Sequence, residues 1–356
     1  ALRFERARLR LRGLNFHERA PDPTTTHRLD VLNNSGVALG RLDSVRASAL
    51  IARHLRLALE AGDAAHVASG LTDEIWNRTL GIGDVAEVPD LIARVEALLL
   101  RTDAPVARLG LHFMRGYYYL NGPKPDHDAA LLDVDRYLAL LSEQHYPYAS
   151  YRRSMGERSR VVIRVMLGRF SEVARELPGL FDAALGRGDF AVLPLLADAN
   201  GVMALVAVGA LDEAQRAQAR ASAAWSSCRN AYAWQDLSLL QGAIHLALAR
   251  GEPRAAWDRV QQDLLRFADS PMRSSPLVAR AVNAGAAQAA LAMAIKCAGS
   301  ERAELLRFVR GQLRGHIDPR MAASLSVELC AIEGRHEHAV APHAVRMSRR
   351  AQQAGG

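Results

Sequence analysis

The sequence predicts an all-α protein, an α-solenoid of antiparallel helix pairs. Three observations predict it. Ala, Leu and Arg dominate a chain in which only 6% of residues are aromatic, and these three lose little on entering a helix. One local pattern recurs along the chain: an apolar helix, a Gly, a few polar residues and a second amphipathic helix. The 356 residues, 49% of them hydrophobic, suffice for two compact domains or one extended repeat array.

Residues 1–26 are charged and end in "PDPTTT", which reads as a connector into the array. "THRLDVLNNSGVALG" then opens a helix, with Thr26 as its cap and Leu29, Leu32 and Val37 on its core face. The recurring pattern follows as "LALEAGDAAHVA", "YYYLNGPKPDHDAA", "RVMLGRFSEVA", "VAVGALDEA", "LALARGEPRAAW", "AIKCAGSERA" and "CAIEGRHEHAV". Its turn glycines are Gly62, Gly122, Gly168, Gly209, Gly251, Gly299 and Gly334, spaced by 60, 46, 41, 42, 48 and 35 residues. Gly ends the first helix because it adopts the left-handed conformation at little cost. Asp, Ser or Glu just after it suits the start of the next helix. Helices joined by so short a loop pack antiparallel, and pairs that cannot bury their apolar stripe alone stack on one another. From Gly122 onward the period is near 42 residues, longer than the ~34 of a standard tetratricopeptide repeat. The array is therefore tetratricopeptide-like, with helices of about 15 to 20 residues. The rival is a compact helical bundle, which leaves the periodicity without a cause. Within the less regular segment 69–105, "NRTLGIGDVAEVPD" reads as a loop between helices and accounts for the spacing of 60. The array spans 27–348, and "RRAQQAGG" (349–356) is a tail expected to fray.

The net charge is +7, yet all but two of the 45 basic residues are arginine, the lysines being Lys124 and Lys296. So lopsided a ratio can reflect a GC-rich coding sequence as easily as a function. The arginines are scattered among 38 acidic residues, which argues against a nucleic-acid surface. Cys228, Cys297 and Cys330 are far apart and odd in number, which suits a reducing cytoplasm better than a disulfide framework. No signal peptide is visible in "ALRFERARLRLRG", and the longest apolar run, "GVMALVAVGAL" (201–211), is too short to span a bilayer. A first residue of Ala and not Met favours a fragment of a longer protein.

Several stretches imitate catalytic motifs. "HRLDVLNN" (27–34) matches the catalytic loop of protein kinases at His27, Arg28 and Asn34, but Leu29 stands at the Asp position and Asp30 has slipped by one. Only 26 residues precede it, none of them lysine; "AIK" (Ala294, Ile295, Lys296) lies far downstream, and in "GDF" (Gly188–Phe190) Ala191 replaces the glycine. A repeat helix explains the stretch better. Neither lysine follows a glycine, so a P-loop is absent. "GIGDVA" (Gly81, Gly83, Ala86) mimics a dinucleotide fingerprint but follows a helix where that motif needs a strand. "HEHAVAPH" offers His336, His338 and His343, whose i, i+2 spacing on a helix divides the first pair between two faces, so no metal or other cofactor is expected. Tyr117 to Tyr119, Trp225 and Trp257 read as repeat core rather than base-stacking surface.

One constellation comes from the repeat itself. Ten or eleven residues before each turn glycine stand His112, Arg158, Asp198, Gln241, Gln288 and Ser324, all polar within helices rich in Ala, Leu and Val. In a superhelix the first helices of successive pairs line the concave face, so these residues are candidates for a ligand-contacting stripe. The bland alternative is a solvent-facing stripe with no ligand.

Two stretches carry a resemblance: "RLDVLNNSGVALGRLDSVRASALIARHLRLALEAGD" and "LSLLQGAIHLALARGEPRAAWDRVQQDLLRFADSPMRSSPLVARAVNAGAAQAAL". The chain resembles the C-terminal helical-repeat region of large bacterial multidomain serine/threonine kinases, over residues ~3 to 340. In that family a kinase domain precedes a P-loop signalling ATPase and then the repeats. The resemblance implies a non-catalytic sensing, autoregulatory or docking arm, with a protein or peptide partner that includes other domains of its own parent. No catalytic residue carries over, because no position matches the kinase or ATPase motifs. Two other readings stay open. One is the effector-sensing repeat arm of an ATPase-type transcription regulator; the other is an Arg-rich solenoid for nucleic acid.

Overall fold

The computed structural model describes residues 2–333, apart from 41–42, 80–82, 144, 147, 227–231, 275 and 315–318. Among these residues the chain is all-helical, with no strand. The helices are α1 (Leu2–Arg12), α2 (Pro23–Leu39), α3 (Ser44–Ala61), α4 (Ala64–Thr79), α5 (Val88–Leu99), α6 (Pro105–Asn121), α7 (His127–Glu143), α8 (Ala149–Met166) and α9 (Phe170–Gly186). They continue as α10 (Leu193–Leu196), α11 (Ala199–Ala207), α12 (Leu211–Ser226), α13 (Trp234–Ala249), α14 (Pro253–Ala268), α15 (Pro276–Lys296), α16 (Gly299–Leu313) and α17 (Pro319–Ile332).

Contacts divide the chain into two compact units. The first comprises Ala1–Leu196 with Ala207–Gly209 and Ala223–Cys228; the second comprises Ala197–Val206, Ala210–Ser222 and Arg229–Gly356.

In the first unit each helix packs on the next, from α2 on α3 through α8 on α9. The turn at Gly62 behaves as its sequence requires: φ is +78°, and the Gly62 amide donates to the Ala58 carbonyl. The segment expected as a connector begins instead with α1, which buries Leu9 and packs on α3. It then runs back over the Gly62 turn, where the Arg19 amide donates to the Gly62 carbonyl at 2.9 Å. A Cβ at position 62 would collide with the His17 carbonyl, so glycine is required twice over. The helix of "THRLDVLNN" starts three residues before the expected cap. Asp22 is the cap, accepting from the Thr25 amide at 3.0 Å, and Pro23 opens the first turn.

The long interval between Gly62 and Gly122 holds an extra helix, α5. As a result α4 has two roles. It closes an antiparallel hairpin with α3, and it also packs extensively along α6. Gly122 departs from the expected turn: its φ is −71°, and its tight approach to Tyr118 is what excludes a side chain. The core of this unit falls into two clusters, one around Leu55, Val67, Ile75 and Val95 and one around Leu109, Val134, Tyr137 and Ile163. Gly156 lets α8 approach α7, since a Cβ there would lie 2.7 Å from Leu138 and 2.8 Å from Tyr137.

In the second unit α13, α14 and α15 pack on one another, and α15 continues onto α16 and α17. Val278–Lys296, within α15, is long and apolar enough to cross a membrane, a stretch longer than the 201–211 run singled out in the sequence. Its Val278, Val282, Ala286, Ala290 and Ala294 are buried in the core of this unit, as in a helix of a folded interior. Gly242 of α13 faces the Gln218 amide and the Ala197 carbonyl so closely that any side chain would displace both.

Candidate functional site

Within the first unit, α6 packs extensively along α4 but only lightly on α8. Trp76 of α4 and Met155 of α8 pack against the core cluster that α6 and α7 share. Helical periodicity places Asp73 and Trp76 together on α4, Phe113 and Tyr117 together on α6, and Met155 between Arg152 and Arg158 on α8. Asp73, Trp76, Tyr117, Arg152, Met155 and Arg158 are all half-buried, reaching solvent from within the protein.

Aromatic rings meet between α4 and α6. The Trp76 and Tyr117 rings lie 4.3 Å apart at 39°, and Phe113 stands 6.4 Å from Trp76 at 22°. Phe113 backs onto Tyr137 of α7 at 5.0 Å. The Tyr137 hydroxyl donates to the Arg152 carbonyl at 2.9 Å, which anchors the first turns of α8. Such offset, tilted pairs hold rings in place beyond simple burial.

Burial pushes the Asp73 carboxyl up to about 7, Glu74 beside it acts in the same sense, and the Arg152 guanidinium opposes both. Burial likewise raises the Tyr117 phenol, against the pull of Arg158.

The neighbouring Glu74 has the opposite fate. It is wholly buried and receives Arg6 of α1 at 2.6 and 2.5 Å, Arg78 at 2.9 Å and the Asn77 amide at 3.4 Å. Asn77 in turn accepts from Ser48 of α3 at 2.9 Å. This network locks α1, α3 and α4 together.

The six residues of the expected polar stripe fall to different tasks. Arg158 is half-buried on α8, close enough to Tyr117 to act on its phenol. His112 faces α7: its Nδ1 sits 2.9 Å from Asp133, and Arg115 grips the same carboxylate at 2.6 and 2.7 Å. Burial raises the Asp133 carboxyl, but the hydrogen bonds from His112 and Arg115 outweigh it and hold the group below its ordinary value. Asp198, 2% exposed, stands where α10 stops and α11 restarts, and it accepts from the amides of Asn200 at 2.8 Å and Gly201 at 3.3 Å. Gln241 and Gln288 are half-buried and Ser324 is exposed. The last four belong to the second unit, so the six are divided between the two units.

The imitations of catalytic motifs resolve locally. "HRLDVLNN" is an ordinary stretch of α2, whose Asp30 lies 3.2 Å from His66 Nε2. Asp63 holds the other ring nitrogen at 2.8 Å. His54 meets the same ring edge-on at 5.6 Å, fully buried, with neither of its nitrogens hydrogen-bonded. Burial, with His66 alongside, depresses His54 to about 3, against Asp63. Gly81 of "GIGDVA", the three histidines of "HEHAVAPH" and Cys228 lie outside the described residues. Among the described residues no three His, Cys, Asp or Glu side chains converge as a metal site would require.

The charge on Asp73 has a measurable consequence. The folded state keeps this proton up to about pH 7 while the unfolded chain releases it near 3.8, so ionisation costs stability as pH rises between those values. Asp73→Asn is expected to stabilise the protein at pH 8 by on the order of 2 kcal/mol, discounted because the group keeps some contact with water. Its advantage should fade as pH falls toward 4 in chemical denaturation. An advantage independent of pH would contradict the assignment.

No protein-family model matches the chain, and no curated protein or solved structure is significantly similar to it.

Proposed function

We propose that this chain is a non-catalytic helical-repeat module that docks a protein or peptide, as the regulatory arm of a bacterial signalling serine/threonine kinase acting in the cytoplasm. The observation that carries the docking reading is the consecutive packing of α2 through α9, a rigid helical frame that carries the half-buried Trp76 and Tyr117. Aromatic and Arg side chains on fixed elements are what protein interfaces use as anchors. The solenoid reading is supported by helix starts. Helices α4, α6 and α8 begin at Ala64, Pro105 and Ala149, and α13, α15 and α17 at Trp234, Pro276 and Pro319, steps of about 42 residues. Docking of a parental domain on such a frame would restrain the enzyme, and an effector would release it by shifting the population between two states.

The coding sequence upstream of Ala1 tests the parentage. A frame that runs into a kinase domain followed by G-x-x-x-x-G-K-[S/T] supports the arm. An in-frame start codon directly before Ala1 contradicts it and leaves a free-standing adaptor.

A further inference from the structure

We propose that the outward face of α1 rests on an anionic lipid surface. Phe4 and Leu11 enter the boundary between headgroups and acyl chains, and Arg3, Arg8 and Arg10 meet lipid phosphates on either side. This inference goes beyond the docking reading and does not depend on it.

The face follows from helical geometry. At about 100° per residue, the exposed residues of α1 form one continuous arc. Arg10 and Arg3 run along one edge, Ala7, Leu11 and Phe4 fill the middle, and Arg8 stands on the other edge. Leu11 is 88% exposed and Phe4 62%. The Arg8 guanidinium lies 5.3 Å from the centre of the Phe4 ring, so cation and ring are displayed together. The arc holds no acid. Glu5, the one acidic residue of α1, sits on the opposite face, 3.5 Å from Arg56 of α3. Among the described residues no carboxylate pairs with Arg3, Arg8 or Arg10. The inward face is fully committed: Leu9 is buried, Arg6 donates to Glu74 at 2.6 Å, and Arg12 donates to the Leu59 carbonyl at 2.9 Å. The helix is thus clamped to the body with its apolar, cationic side turned out. The apolar side chains stand proud of a convex surface, where a lipid interface accepts them and a folded partner would need a matching groove. Arginine stems on both edges lie along the apolar strip while their guanidiniums reach the phosphates. Three cations without a carboxylate complement an anionic surface.

The test is vesicle flotation of the full chain at fixed ionic strength. Vesicles of phosphatidylcholine are compared with vesicles that also contain phosphatidylglycerol. The chain is expected to bind the anionic vesicles at least about tenfold more tightly, since each arginine near such a surface contributes about fivefold. Phe4→Gln and Leu11→Gln should each weaken that binding by about fivefold or more. Arg3→Gln combined with Arg10→Gln should weaken it by about twentyfold. Leu265→Gln on α14 and Arg216→Gln on α12, both at exposed positions, should leave it unchanged. Binding that survives Phe4→Gln and Leu11→Gln together would overturn the insertion of this face. A loss with Arg216→Gln equal to that of the Arg3 and Arg10 pair would overturn the site, because the whole basic surface would then be the binder. A chain that is dimeric without lipid, and monomeric with Leu11→Gln, would overturn the proposal in favour of a second copy. Retention on immobilised polyglutamate with the same dependence on Leu11 would overturn it in favour of an acidic protein. No binding to either kind of vesicle would overturn it outright.

Discussion

Replacing Glu74 with Ala should destabilise the first unit by about 3 kcal/mol or more, a large loss for one surface-distant residue. Its carboxylate is wholly buried and receives Arg6, Arg78 and Asn77 from two helices. Removing it takes the buried charge from the Arg6 and Arg78 guanidiniums, 20% and 12% exposed, and leaves Arg78 with the more exposed Glu87. Truncating one partner of a buried pair costs more than the pair contributes, because the remaining charge cannot return to water. Glu74→Gln should lose less, since an amide still accepts one hydrogen bond. Urea denaturation followed by far-UV circular dichroism reads both. A loss under 1 kcal/mol for the alanine variant would mean that α1 detaches readily and rehydrates its arginine.

The second large effect is acid sensitivity through His54. Its folded-state value, about 3, lies far below the ordinary 6.5. The unfolded chain therefore takes up a proton that the native state refuses. The neutral ring's contribution is complete above about pH 6.5, and it is lost at about 1.4 kcal/mol per pH unit on the way to 3. Asp73 acts in the opposite sense between 3.8 and about 7, so the parent protein partly masks the slope. His54→Leu removes the titrating group and the two unpaired ring nitrogens while keeping an apolar side chain in a fully buried position. The stability difference between variant and parent should widen steadily from pH 7 to pH 4. A difference constant over that range would contradict the assignment.

The helix pairs were legible because their signals are local. A glycine at a helix end declares itself through φ, as at Gly62, Gly168, Gly209 and Gly251, all between +73° and +78°. What depended on tertiary packing was not. Nothing in "LRFERARLRLR" announces that α1 docks on α3, because its mean composition is polar and only Leu9 is buried. The change of partner at α4 was hidden because a helix with two packed flanks reads like any other in a repeat. Asp198 looked like a groove residue by register, but a capping aspartate and a groove aspartate share the same composition. Arg158 was reached by counting back from Gly168, whereas the same count from Gly122 gave His112, whose ring turns to α7. Tyr117 of α6 pairs with Trp76 of α4, a contact between helices that sequence distance hides.

Amide hydrogen exchange on the full chain, parent against Glu74→Ala, tests most directly the claim that one buried network fixes the frame of the first unit. The network predicts faster exchange in α1, α3 and α4, with α13 to α17 unchanged. Unchanged exchange in α1 and α3 would contradict it.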